Sequence, residues 1–435
     1  MQPLSDREAM VAFGPEWCLV WTHHVRPGQF AIWAPYVRRS RHRIVVMASA
    51  DIVADQVRSE IAEMPRVAVA EPYDAAVDWL RDVRGFRGFL YVGSFPTVAA
   101  LMEAFPGSTH IWIGHGESAK KANTHRTASA FDSVFVADYR AVGRYPRAIR
   151  GWLMEGACAI GVPVVEGLRA DPWVGTRRIR RIVYAPTFEG RTARADYTSI
   201  DLAAPAITEA MPILRERGVD VIVRPHPSTG GRRPEVLDRL GELYAAGAIP
   251  GGDKAADLNT ADLLIGDVSG ASSEFLFTRK PVLMPVFPRL VELLGGTSRL
   301  HTEYPWADRW QVQRESLVDR LAVLERSDPL SRTRTQAAGR LFRDHRTVED
   351  AVRTFDLALD AATRRSSRVP VRIAFEVRRW MDRGRARADP ATDPGRRRVS
   401  SPSRGAPVGG ADATGQDGGS ADGRSRGDGG PGGDG

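Results

Sequence analysis

Residues 43–48, Arg43-Ile44-Val45-Val46-Met47-Ala48, form a short β-branched run, and Asp51 to Met64 follows with Ile52, Val53, Val57 and Ile61 on one helical face. The run reads as a buried strand and the spacing after it as an amphipathic helix. The alternation continues outward from there. Arg66 to Ala70 is a strand and Tyr73 to Val83 a helix. Phe89 to Val92 is a strand, Val98 to Phe105 a helix, His110 to Ile113 a strand, and Ser133 to Ala137 a further strand. Strands alternating with helices imply βαβ units and a mainly parallel sheet. Residues before 43, with Trp17, Trp21 and Trp33, are expected to add a strand or a cap, with no position assigned.

The basic segment Arg177 to Arg181 separates this half from a second series of the same kind. Ile182 to Tyr184 starts a strand, and Ile200 to Arg217 is a helix ended by Gly218. Val219 to Arg224 is a strand, Pro234 to Ala246 a helix, and Leu263 to Ile265 a strand. Ala271 to Thr278 is a helix and Val282 to Val286 a strand. Ser316 to Arg326 and Leu330 to Arg365 read as helices, the second packing back across the junction of the halves. These patterns predict an α/β chain of two Rossmann-like domains facing a cleft, residues 1–172 and 173–335. C-terminal helices over 336–385 and a disordered tail over 386–435 complete the division. The tail GQDGGSADGRSRGDGGPGGDG has too little apolar surface to fold.

The chain has 435 residues, a formal charge of +8 and 43% hydrophobic residues. That is enough for two cores and a basic surface. Arginine forks suit phosphate and carboxylate, so a polyanionic partner fits, without a choice among nucleic acid, lipid and phosphorylated polymer. Cys18 and Cys158 sit in no metal-ligand spacing, so no structural zinc is expected. The opening MQPLSDREAM is not a secretory leader. No stretch approaches the ~18 apolar residues of a spanning helix. A cytoplasmic protein, at most peripheral on a membrane, is expected.

Four segments fall at the carboxyl ends of expected strands. The first is Ile113-Gly114-His115-Gly116-Glu117-Ser118, followed by Lys120 and Lys121. Gly114 and Gly116 flank the histidine without side chains, so a substrate can approach closely, and an imidazole can take a proton from an alcohol. The bland alternative is a turn histidine. The second is Arg224-Pro225-His226-Pro227, whose prolines fix the chain around His226. A histidine presented beside an arginine suits a phosphate oxygen; otherwise it is a surface turn. The third is Gly266-Asp267-Val268-Ser269-Gly270-Ala271-Ser272-Ser273-Glu274, a Gly/Ser loop entering a helix. Ser269, Ser272 and Ser273 offer hydroxyls to an anion or simply cap the helix. The fourth is Tyr184-Ala185-Pro186-Thr187-Phe188-Glu189-Gly190, where Thr187 can donate into a cleft. GxxxxGK[ST], GxGxxG after the first strand, HExxH and GxSxG are all absent.

In order, His115-Gly116, Tyr184-Ala185-Pro186-Thr187, Arg224-Pro225-His226-Pro227, and Asp267-Val268-Ser269-Gly270 with Glu274-Phe275-Leu276 and Lys280-Pro281 resemble the CDP-glycerol glycerophosphotransferase family. That family comprises the teichoic-acid polymerases and primases. The stretch GHGESAKKAN…FDSVFVADYRA resembles an actinobacterial-looking branch with HGDSDK in place of HGTPLK. The likeness covers roughly 110–290, and the tandem halves fit a B-type glycosyltransferase fold, whose ligands lie at the carboxyl ends of the strands. The resemblance implies a donor, CDP-glycerol or another CDP-polyol, bound mainly by the second half. His115 would be general base on a lipid-linked or polymeric acceptor hydroxyl. His226 would support the diphosphate, with Arg224, Thr187, Asp267, Ser269, Ser272 and Ser273 lining the donor site and Gly114, Gly116 and Glu117 supporting the first loop. No metal, cofactor or nucleic acid is expected. Gly270, Glu274 and HGESAKK depart from the commoner pattern and leave the polyol and acceptor open. A sugar-nucleotide glycosyltransferase or UDP-sugar epimerase of the same fold is the alternative enzyme, and a non-catalytic binder of anionic polymer the alternative class.

Residues 371–381 place Val371, Ala374, Phe375 and Val377 on one helical face, with Arg372, Arg378 and Arg379 toward the other. Such a helix can lie in a membrane interface or pack on the second domain. In the membrane case, wild type sediments with anionic vesicles in a salt-sensitive way, and Phe375→Glu with Trp380→Glu abolishes it. Equal sedimentation of the variant would leave the helix no membrane role.

Overall fold

The computed structural model describes residues 4–21, 27–48, 67–70, 73–92, 95–114, 116–120, 124, 126–173 and 177–366. The helix expected over 51–64, His115, the amphipathic stretch 371–381 and the tail 386–435 lie outside the described residues. The described residues all fall within the first of the chain's two units, Met1–Arg385. Two parallel sheets lie in the first unit. One holds β1 (Trp17–Trp21), β2 (Ile44–Ala48), β3 (Val67–Ala70), β4 (Gly88–Tyr91), β5 (Thr109–Trp112), β6 (Ser133–Val136) and β7 (Ala157–Ala159), in the order β3-β2-β1-β4-β5-β6-β7. The other holds β8 (Arg181–Ala185), β9 (Asp220–Val223), β10 (Ile249–Pro250), β11 (Leu263–Gly266), β12 (Val282–Val286) and β13 (Asp308–Gln311), in the order β10-β9-β8-β11-β12-β13. This is the two-sheet Rossmann-like α/β architecture expected.

Each sheet reverses direction beside its first strand, between β1 and β4 and between β8 and β11. A doubly wound sheet opens a crevice at the carboxyl ends there. The loops after β8 and β11 flank the reversal in the second sheet, and the loop after β9 lies beside them.

The Trp-rich N-terminus holds the middle of the first sheet rather than an edge or cap. In β1 all five residues are buried, and Leu19 lies in register with Val46 on one side and Leu90 on the other. A strand covered on both faces shows no alternation, so its sequence does not announce its place. The helix expected over 330–365 is two helices, Ser331–Leu341 and Val348–Ser366. Arg343 and Asp344 break it at φ 53° and 58°, left-handed values a helix interior does not accept.

Val348–Ser366 returns to the first half, as expected. Phe355 meets the rings of Tyr36 and Trp33 at 5.6 and 5.9 Å. Ser40 Oγ donates to Asp356 Oδ1 at 2.5 Å, and Arg87 donates to Asp360 Oδ1 at 3.0 Å. One continuous apolar core runs from Trp17 and Val46 through Phe355 and Leu359 to Phe275 and Met284. Among the described residues no helix is long and apolar enough to cross a membrane.

Arg334, 0% exposed, ties Ser331–Leu341 to the second sheet. It pairs with Asp328 and with Asp308 of β13, and its Nε donates to the Arg279 carbonyl at 3.3 Å. Removing one partner of a buried ion cluster strands the others without solvent. Arg334→Ala is therefore expected to lower the unfolding free energy by about 3–5 kcal/mol in urea titrations. A loss below about 1 kcal/mol would mean the carboxylates find other partners.

Candidate functional site

The loop after β5 turns on two left-handed glycines, Gly114 at φ 65° and Gly116 at φ 126°. L-residues with side chains rarely adopt those angles. Trp33 Nε1 donates to the Gly114 carbonyl at 2.8 Å, fixing the backbone just before position 115. Glu117 is paired with Arg144, which also donates to Glu303 Oε2 at 2.7 Å. Burial pushes the Glu117 carboxyl up while Arg144 pulls it down. Ala119 N donates to the Tyr304 hydroxyl at 3.0 Å. The loop is thus clamped from the second half at Glu303 and Tyr304. A small cavity of about 50 Å³ lies beside it, lined among others by Gly114, Gly116, Glu117, Arg144 and Tyr145.

Asp267, which follows β11, is 1% exposed. Its Oδ2 accepts the backbone N–H of Thr187 at 2.8 Å and of Ser199 at 3.2 Å. Oδ1 has no hydrogen-bond partner among the described residues. Burial pushes this carboxyl up to about 6, opposed by Ser199, the Thr187 N–H and Lys120. The Lys120 ammonium reaches the same spot from the first half and donates to Thr187 Oγ1 at 2.6 Å. It lies 5.9 Å from the Phe188 ring centre and 5.6 Å from that of Tyr197.

His226 stacks on the other partner of this wall, its ring centre 4.6 Å from that of Phe188. Its Nδ1 accepts the Ser228 N–H at 3.0 Å. An accepting Nδ1 leaves the neutral ring's proton on Nε2, the donor form a phosphate oxygen needs. Glu189, 0% exposed, binds the loop onward from His226: it accepts N–H bonds from Arg232 at 2.7 Å, Gly230 at 3.2 Å and Arg233 at 3.3 Å. Burial works to raise its carboxyl, and these bonds outweigh it, so Glu189 sits below the usual carboxylate range. Gly190 has no room for a side chain, since a Cβ would lie 2.2 Å from the Ala195 carbonyl oxygen. Arg224 pairs with Asp257 and donates to the Gly252 carbonyl at 2.8 Å, beside the loop start.

The serines are buried. Ser269 caps the short helix Gly270–Phe275 by accepting the Ser272 N–H, and Ser272 Oγ donates to the Asp267 carbonyl at 2.6 Å. Glu274 Oε2 lies 2.6 Å from Lys254 Nζ. Lys280 donates to the Asn259 and Ala261 carbonyls at 2.7 and 3.0 Å, a structural role. The structure therefore brings Thr187, Asp267, His226 and the 116–120 loop to one place and keeps Arg224 at its edge. Lys120, Phe188, Glu189 and Tyr197 join them unassigned by sequence. Lys120 follows the first motif and Phe188-Glu189 end the fourth, but their spacing alone carries no chemistry.

A group whose folded pKa is raised favours its protonated form. Asp267, moved from 3.8 to about 6, contributes stability that is present below pH 4 and lost as pH rises through about 6. Over that window wild type should lose about 3 kcal/mol relative to Asp267→Asn, read from urea midpoints between pH 4 and 7. Parallel curves would show that the carboxyl titrates normally.

No protein-family profile matches the chain. No curated protein matches it. Solved structures similar to it include the S. aureus MnaA–UDP co-structure, with 12% identity, 75% of this chain and 92% of that one covered, and a TM-score of 0.48. A variant of the wall teichoic acid polymerase TagF shows 11% identity over 81% of this chain and 90% of that one, with a TM-score of 0.49. A putative UDP-N-acetylglucosamine 2-epimerase from Listeria monocytogenes shows 13% identity over 80% and 94%, with a TM-score of 0.47.

Proposed function

We propose that the chain is a transferase moving a glycerol-phosphate, or related polyol-phosphate, unit from a CDP-activated donor to an acceptor hydroxyl. The observation that carries this reading is the convergence of separate strand-end segments. Lys120 meets Thr187, Thr187 meets Asp267, and His226 stacks on Phe188. Positive and hydrogen-donating groups gather where the parallel sheet opens, as transfer at phosphorus requires.

In this reading the acceptor oxygen bonds to the β-phosphorus while His115 takes its proton. The bond from that phosphorus to the bridging oxygen breaks, and CMP leaves with the electron pair. His226, donating from Nε2, meets the charge that develops on the diphosphate. Thr187, Ser269 and Ser273 line the donor side, Ser272 holds the turn after β11 through the Asp267 carbonyl, Asp267 sets the Thr187 backbone, and Arg224 holds the start of the 224–227 loop through Asp257. Gly114, Gly116 and Glu117 set the first loop. The acceptor is lipid-linked or polymeric, which would put the enzyme at the inner face of a membrane.

Incubation with a panel of CDP-polyols and UDP-sugars tests the reading. CMP should appear with at least one CDP-polyol and an acceptor. His115→Ala should cut turnover by about 10²–10⁴, and His226→Ala by about 10²–10³, both with unchanged circular dichroism. Turnover of UDP-sugars without CMP release would replace it with a sugar-nucleotide reaction.

A further inference from the structure

We propose that the Lys120 ammonium is a direct contact to the donor's diphosphate, carried into the second half's site by the first half. The proposal rests on the nucleotide-donor reading above and gives Lys120 a ligand contact that reading leaves unassigned. An ammonium has three N–H groups to satisfy, and among the described residues the hydrogen-bond acceptor of Lys120 is Thr187 Oγ1, at 2.6 Å. A neutral hydroxyl is a weak return for a half-buried charge. The nearby carboxylate, Asp267, spends Oδ2 on two backbone N–H groups and leaves Oδ1 without a partner.

A half-buried cation and a buried anion thus stand near each other with bonding capacity in hand. A purely structural pair would close on itself. A site built for a phosphate keeps such capacity for the ligand. The surroundings fit this use. Phe188 and Tyr197 wall the ammonium, and His226 lies behind Phe188. Asp196 is held by Arg232 and Arg233, so its charge is largely answered. Because Lys120 follows the 114–118 loop, its contact with the donor also sets where that loop stands over the reacting phosphorus.

Burial pushes the ammonium down to about 8, against the pull of Asp267 and Asp196. The charge is therefore present below pH 8 and lost as pH rises through it. Calorimetric titration with CDP, CMP and UDP tests the proposal on wild type, Lys120→Met and Lys120→Arg. The Met variant should bind CDP about tenfold or more weakly, with a much smaller effect on CMP. Wild-type CDP affinity should fall above about pH 8, and the Arg variant should lose that fall.

Unchanged CDP affinity in the Met variant overturns the proposal and leaves the donor reading standing. If wild type binds UDP and not CDP, the cytidine reading fails, and a weakened UDP affinity in the Met variant still supports Lys120. Binding of neither nucleotide overturns both. If the Met variant does not fold, the Arg variant decides: a persisting fall near pH 8 overturns the proposal.

Discussion

The site hangs on one buried carboxylate. Asp267 Oδ2 takes the backbone N–H groups of Thr187 and Ser199, and its own carbonyl takes the Ser272 hydroxyl. These bonds join the end of β8, the entry to the Ile200–Glu216 helix, and the turn after β11. A buried carboxylate costs stability unless its lone pairs are used, so the chain around it has little freedom. Thr187 must present its hydroxyl where Lys120 arrives, and Phe188 must follow where His226 stacks. Glu189 repeats the device one step on, holding 230–233 by their backbone N–H groups.

The first half is brought to that point by a different means. Its glycine loop has no regular structure to stiffen it, and stiffness comes from outside: Trp33 on the Gly114 carbonyl, Tyr304 on Ala119, and Arg144 between Glu117 and Glu303. The apolar layer under Val348–Ser366 binds the same halves farther away. Contacts of both kinds favour one relative position of the loops.

Most of the fold was legible in the sequence because parallel strands and their covering helices carry strong, distinct periods. Ile200–Glu216 buries Ile200, Ala203, Ala204, Ile207, Met211 and Leu214, a spacing that survives two internal prolines. β1 was not placed, because a five-residue run buried on both faces has no period to read. The break at Arg343 and Asp344 was not legible either, since neither residue is a glycine or proline. In the site, His226, Thr187 and Asp267 stood out by their prolines, glycines and order. Lys120 and Tyr197 did not, because their importance arises from a meeting between halves. Arg224 looked like a phosphate ligand in sequence, yet Asp257, a residue 33 positions later, takes its guanidinium.

Two carboxylates of the motif segments are answered locally. Glu117, in HGESAKK, is answered by Arg144, and Glu274 by Lys254. Each charge is met by an opposite one from another element, so neither is a loose surface charge. Arg144 also carries Glu303, leaving two carboxylates on one guanidinium, and burial accordingly holds Glu117 above its usual range. A change at 117 alone would therefore alter the balance of a clamp between halves as well as the loop's own chemistry. The physical unit is the set Glu117, Arg144 and Glu303, and reading position 117 as an acceptor contact in isolation would misassign an effect transmitted through the clamp.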